Sequence, residues 1–151
     1  MSRVADSPGA RIDRSWATLG LAVGDLLLIT IFVAAGELRH GYGLLAHPER
    51  VLGTAIPFFI GWVLVSILMG VYRRSVYTVP RTAALRTALA WVGAALVGQA
   101  LRATELFHGT FAPAFLLVSL GVGLVLLVPW RAVAAFWPTI TAFFGRRGQS
   151  A

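Results

Sequence analysis

Apolar runs free of charge divide this chain. No charged residue lies between Arg50 and Arg73, between Arg86 and Arg102, or between Glu105 and Arg131. A helix rising about 1.5 Å per residue needs about 20 apolar residues to cross a hydrocarbon layer about 30 Å thick. With an earlier stretch interrupted by one acid, these runs predict four membrane crossings, at about 16–36, 52–72, 83–101 and 113–130. The first crossing does not read as a cleaved signal peptide. Its apolar stretch exceeds the usual hydrophobic region of such signals, it holds Asp25, and no small-x-small cleavage pattern follows. After Arg131, the run from Ala132 to Phe144 has only 13 residues and is too short to cross. Its Phe136, Trp137, Phe143 and Phe144 suit the headgroup boundary. The expected fold is all-α: a polytopic membrane protein with a tail at 1–15, a four-helix domain at 16–131, and an interfacial and cytoplasmic tail at 132–151.

The arginines orient these crossings. Arg3, Arg11, Arg14, Arg73, Arg74, Arg81, Arg86, Arg131, Arg146 and Arg147 fall on one side; Arg39, Arg50 and Arg102 fall on the other. The positive-inside rule then predicts cytoplasmic termini in a cell membrane. Composition agrees with the membrane class: 58% of residues are hydrophobic and 13% charged, against about 25% charged in soluble domains. The net charge of +7 suggests no nucleic-acid partner, because the arginines flank apolar runs and form no separate basic domain. Cysteine is absent, which excludes disulfides and thiolate metal sites. Every basic residue is arginine, a composition expected of a GC-rich prokaryotic genome.

Two stretches resemble each other, Gly36-Glu-Leu-Arg-His-Gly41 and Thr104-Glu-Leu-Phe-His-Gly109. Pro57-Phe58-Phe59 and Pro113-Ala114-Phe115 then open the second and fourth crossings, which end in Tyr72-Arg73 and Trp130-Arg131. The pattern fits two parallel hairpin repeats, and equally two helix ends of convergent chemistry. Small residues recur at Gly20 and Gly24 and at Ala90, Ala94 and Gly98. Such stripes let backbones approach in lipid, so the first and third crossings are expected to touch, or else to offer a homodimer face.

The segments GDLLLITIFVAAGELRHG, IPFFIGWVLVSILMGVYR and GTFAPAFLLVSLGVGLVLLVPWR resemble domain-of-unknown-function family 3054. The resemblance runs from about Leu19 to Arg131 and rests on Gly24-Asp25, the His40 turn, Pro57-Phe58, Arg102 and the start of the fourth crossing. It implies a four-helix prokaryotic membrane protein, and it implies no activity.

Candidate chemistry is sparse. Asp25 is the one acid well inside a crossing, nine residues past Trp16 and so about 13 Å along the axis, near mid-bilayer. An ionised carboxylate there costs about 2.5–3.5 kcal/mol unless paired or hydrated. It reads either as a proton or cation site, or as a helix–helix hydrogen bond to Thr30, Ser66, Gln99 or Ser119. Gln99, Arg102, Glu105 and His108 are spaced by three and would form a polar strip if the helix continued so far. That strip reads as an outer vestibule or as interface snorkelling with helix capping. Glu37, His40, Glu105 and His108 form a candidate outer cluster. Paired Glu-x-x-His motifs occur in di-iron bundles, but the further carboxylates are lacking here, and Gly41 and Gly109 mark helix ends. No metal, cofactor or catalytic residue is therefore expected. Two functions stand open: a small proton, ion or solute transporter-like protein, or a non-catalytic scaffold or partner-binding subunit. The expected partners are the lipid bilayer and either a second copy or another membrane protein.

Overall fold

A computed structural model describes residues 11–42, 45–107 and 109–147, the side chains of 138–147 excepted. The chain forms helices α1 (Trp16–Arg39), α2 (Pro48–Leu68), α3 (Arg74–Tyr77), α4 (Pro80–Arg102) and α5 (Pro113–Arg147). Among the described residues, four stretches are long and apolar enough to cross a membrane: α1, α2, α4 and Pro113–Trp137 of α5. The four expected crossings and the all-α class are present.

The ends show why these residues make these helices. Ser15 caps α1, its side chain accepting from the Thr18 N–H at 3.3 Å. At the other end Gly41 takes φ +82°, where its N–H donates to the Leu38 carbonyl and the Tyr42 N–H to the Glu37 carbonyl. This Schellman closure needs a left-handed residue, which glycine supplies without a Cβ clash. α2 closes the same way: Gly70 has φ +63°, the Gly70 N–H reaches the Ile67 carbonyl and the Val71 N–H the Ser66 carbonyl.

Several expectations change. α2 begins at Pro48, so Pro57 lies inside the helix and does not open it, whereas Pro113 does open α5. The two Glu-Leu-x-His-Gly stretches also differ. Glu37 is in the last turns of α1 and His40 is its C-cap, but α4 ends at Arg102, so Glu105 sits in the turn beyond. Gly109 is not a helix stop; its N–H folds back to the Arg102 carbonyl at 3.0 Å, where a Cβ would stand 2.7 Å from that oxygen. The helical strip from Gln99 to His108 is therefore broken, and His108 itself lies outside the described residues. The segment after Arg131 continues α5 without interruption to Arg147.

The small-residue stripe on α4 contacts α2 and not α1. Among the described residues the α1 and α4 backbones do not approach each other, though Phe32 of α1 meets Trp91 of α4 edge-on at 6.1 Å, while α4 packs extensively on α2 and α5. A Cβ on Gly61 would stand 2.4 Å from the Ala94 carbonyl oxygen, and one on Gly98 would stand 3.0 Å from the Phe58 ring. Gly20, by contrast, has nothing within 4 Å. The core is aromatic: Phe32 meets Phe58 edge-on at 5.6 Å, and Trp91 stacks on Phe58 at 6.0 Å. Trp91 donates its indole N–H to the Ser119 carbonyl at 2.9 Å, and Gly123 leaves the space its ring occupies.

Gly61→Ala should lower stability by about 1–3 kcal/mol, because the new methyl meets backbone and not a movable side chain. Gly20→Ala, which places its methyl in open space and favours the helix, should not lower the unfolding midpoint in micelles. Equal effects of the two would contradict this packing.

Candidate functional site

Asp25 is 0% exposed and Arg131 is 1% exposed. The guanidinium meets the carboxylate in a fork, Arg131 Nε to Oδ1 at 2.9 Å and Nη2 to Oδ2 at 2.5 Å. Trp130 Nε1 donates to Oδ1 at 3.2 Å, and the Tyr72 hydroxyl donates to Oδ2 at 2.7 Å. Trp62 Nε1 in turn donates to the Tyr72 oxygen at 3.1 Å. The Arg131 guanidinium carbon also lies 4.7 Å from the centre of the Tyr72 ring. Each carboxylate oxygen thus receives two donors, one of them in each case from the guanidinium.

Local structure places each of these groups. The Schellman turn at Gly70 ends α2 two residues before Tyr72 and returns that ring to the bundle. Gly24 clears the way for Trp130, since a Cβ there would stand 2.3 Å from the indole. Arg131 sits within α5 and not at its end. None of the polar partners expected for Asp25 (Thr30, Ser66, Gln99, Ser119) reaches it. Thr30, Ser66 and Ser119 bond to backbone carbonyls of their own helices. Gln99 is fully buried, and among the described residues neither atom of its amide has a partner.

Sequence reasoning missed Arg131 because a terminal arginine after an apolar run has the form of a topology signal. The available clue was the matching pair of helix ends, Tyr72-Arg73 and Trp130-Arg131, each offering an aromatic donor beside an arginine.

The chain before α1 is tied to the same end. The Asp13 N–H donates to the Tyr72 carbonyl at 3.0 Å, and Ser15 Oγ and the Tyr77 hydroxyl donate to the Asp13 carboxylate. Arg11 and Arg86 each donate to a carbonyl at the end of α2, of Leu68 at 2.8 Å and of Met69 at 3.0 Å. The Tyr77 hydrogen bond holds the Asp13 carboxyl below its ordinary value. Burial raises Tyr77, and its bond to Asp13 adds to that rise.

The outer-cluster residues lie at the opposite end, where α1 and α4 finish and α2 begins. A cleft of about 620 Å³ opens there, lined by Glu37, Glu49, Arg50, Thr54 and Arg102 among others. Glu37 Oε1 accepts from the Thr54 hydroxyl at 3.0 Å, and Arg50 Nε stands 3.6 Å from Oε2. Arg102 lies over the Phe115 ring at 4.5 Å and Arg50 over Tyr42 at 3.7 Å. His40 and Glu105 are exposed and do not line the cleft. Among the described residues, no three His, Asp or Glu side chains gather as a metal site. No residue lining the cleft belongs to the Asp25 network.

Four apolar helices locked by a buried ion pair define an integral membrane protein of the multi-pass class. The chain belongs to the family described as "Protein of unknown function (DUF3054)", whose model matches residues 22–134, from just before Asp25 to just past Arg131. No curated protein and no solved structure matches it.

Asp25→Asn should destabilise the protein by about 3–5 kcal/mol, because it leaves the buried Arg131 charge uncompensated. Adding Arg131→Gln should restore much of that loss in denaturant unfolding of micellar protein; additive losses would contradict a direct pair. Asp13 is half-buried and has a milder effect. Because its folded value is depressed, its contribution is complete above the unfolded value of about 3.9 and is lost as pH falls through the folded value. Protection of the amides at residues 11–15, measured against the intrinsic exchange rate at each pH, should therefore fall below about pH 4, and Asp13→Asn should lower it already at neutral pH.

Proposed function

We propose that the protein is a non-transporting, non-catalytic binding protein of a prokaryotic cell membrane, with a static charge lock at one end and a recognition cleft at the other. The saturation of Asp25 carries this reading. A carboxylate that takes up and releases protons or cations during transport must exchange partners with water or ion. Asp25 is instead 0% exposed and receives four donor groups, two of them from one guanidinium. Breaking such a pair costs several kcal/mol, which opposes cycling through an unpaired state.

The accessible polar groups are at the other end, where Glu37, Arg50, Thr54 and Arg102 border an open cleft. The arginine-rich end, where Arg11 and Arg86 close α2, is the cytoplasmic one by the positive-inside rule. The cleft then faces outward. α1 keeps an unpartnered apolar face at Leu19, Val23, Leu27 and Ile31, with open space at Gly20, which suits a second membrane helix.

Proteoliposomes loaded with a pH-sensitive dye and energised by a potassium diffusion potential should leak protons no faster with wild-type protein than without it. A proton flux that Asp25→Asn abolishes while the variant still folds would overturn the reading in favour of transport.

A further inference from the structure

The outer cleft carries a more specific assignment, which rests on its reading as the protein's recognition surface. Its lining holds two arginines, Arg50 and Arg102, and two carboxylates, Glu37 and Glu49, so its formal charges cancel. These charges do not satisfy one another fully. Arg102 gives its planar face to Phe115, and among the described residues its guanidinium donates no hydrogen bond. A guanidinium has five N–H donors in a fork that matches a phosphate or carboxylate. Glu37 is 13% exposed at its side chain. One of its oxygens takes the Thr54 hydroxyl at 3.0 Å, and the other stands 3.6 Å from Arg50 Nε. A direct charge-assisted N–H···O bond measures about 2.7–2.9 Å, so this second oxygen keeps room for another donor.

We propose that the cleft binds a zwitterion that joins a phosphate to a primary ammonium, the chemistry of a phosphatidylethanolamine headgroup. Arg102 takes the phosphate and Glu37 the ammonium. A purely anionic ligand would bring its charge beside two carboxylates, and a purely cationic one beside two arginines. The rim favours a lipid as the source, because Leu52, Ile56 and Leu106 line the cleft and are exposed. An acyl chain leaving the headgroup would run over these residues onto the apolar helix surface.

Delipidated protein in micelles is offered equal amounts of phosphatidylethanolamine and phosphatidylglycerol with identical acyl chains, and bound lipid is read by native mass spectrometry. Wild type should retain phosphatidylethanolamine in preference. Arg102→Gln should weaken retention of both lipids by about tenfold or more, the scale of one lost charged hydrogen bond. Glu37→Gln should retain lipid but lose the preference, which keeps the test decisive if the arginine variant folds poorly. Competition by O-phosphoethanolamine separates the sources. Displacement of the lipid at millimolar concentration shows that the free zwitterion is itself a ligand, and failure to displace assigns the site to the lipid. Equal retention of both lipids by wild type, or full retention of preference by both variants, overturns the assignment. Neither result bears on proton flux, so this inference and the non-transporting reading fail separately.

Discussion

A carboxylate buried in an apolar bundle must have a partner, and in this protein that requirement organises one whole end of the molecule. Asp25 and Arg131 come from α1 and α5, which also meet where Phe32 stacks on Phe115 and where Leu21 packs with Trp130. The extensive packing is elsewhere, between α4 and its neighbours α2 and α5. The ion pair therefore fastens the peripheral first helix to the compact trio. A buried pair is not a large net source of stability, because desolvating both ions offsets most of their attraction. Its consequence is specificity: any arrangement of α1 that separates the two leaves a charge without solvent or partner.

The surrounding residues follow from that constraint. Trp130 can reach the carboxylate only because Gly24 has no side chain, and Tyr72 only because Gly70 turns the chain back after α2. Trp62 then completes the Tyr72 hydroxyl from the helix that precedes it. The N-terminal segment closes over the same end through Asp13, Arg11 and the Tyr72 carbonyl. One acid thus determines the use of two tryptophans, a tyrosine, an arginine and two glycines. The opposite end is built differently. There charges border an open cleft, one carboxylate nearly enclosed and two guanidiniums resting on aromatic rings.

The doubled Glu-Leu-x-His-Gly pattern illustrates how identical residues acquire different roles. In the first copy the glycine closes a helix in the left-handed region. In the second the helix has already ended at Arg102, and the glycine is needed because its backbone folds onto that end. Four shared residues do not determine where a helix stops when the preceding turns differ. Pro57 and Pro113 diverge for the same reason: one lies mid-helix after an earlier start at Pro48, the other begins its helix.

The number of crossings, the helical class and the family were legible in the sequence because each depends on local quantities. Uncharged length sets what can span a membrane, and backbone hydrogen bonds in lipid leave only the helix for such a chain. The special status of Asp25 was legible too, since a lone acid in an apolar run is costly wherever the helix packs. Its partner was not. Arg131 lies 106 positions away and looks like a flanking charge until the helices are assembled. The α4 stripe of Ala90, Ala94 and Gly98 was visible as a close-approach surface, yet only the assembled bundle chose α2 over α1 to fill it. Periodicity records which face of a helix is small or polar, but not which neighbour meets it. That choice depends on the joint packing of Phe32, Phe58, Trp62 and Trp91 and on the need to bring one carboxylate to one guanidinium.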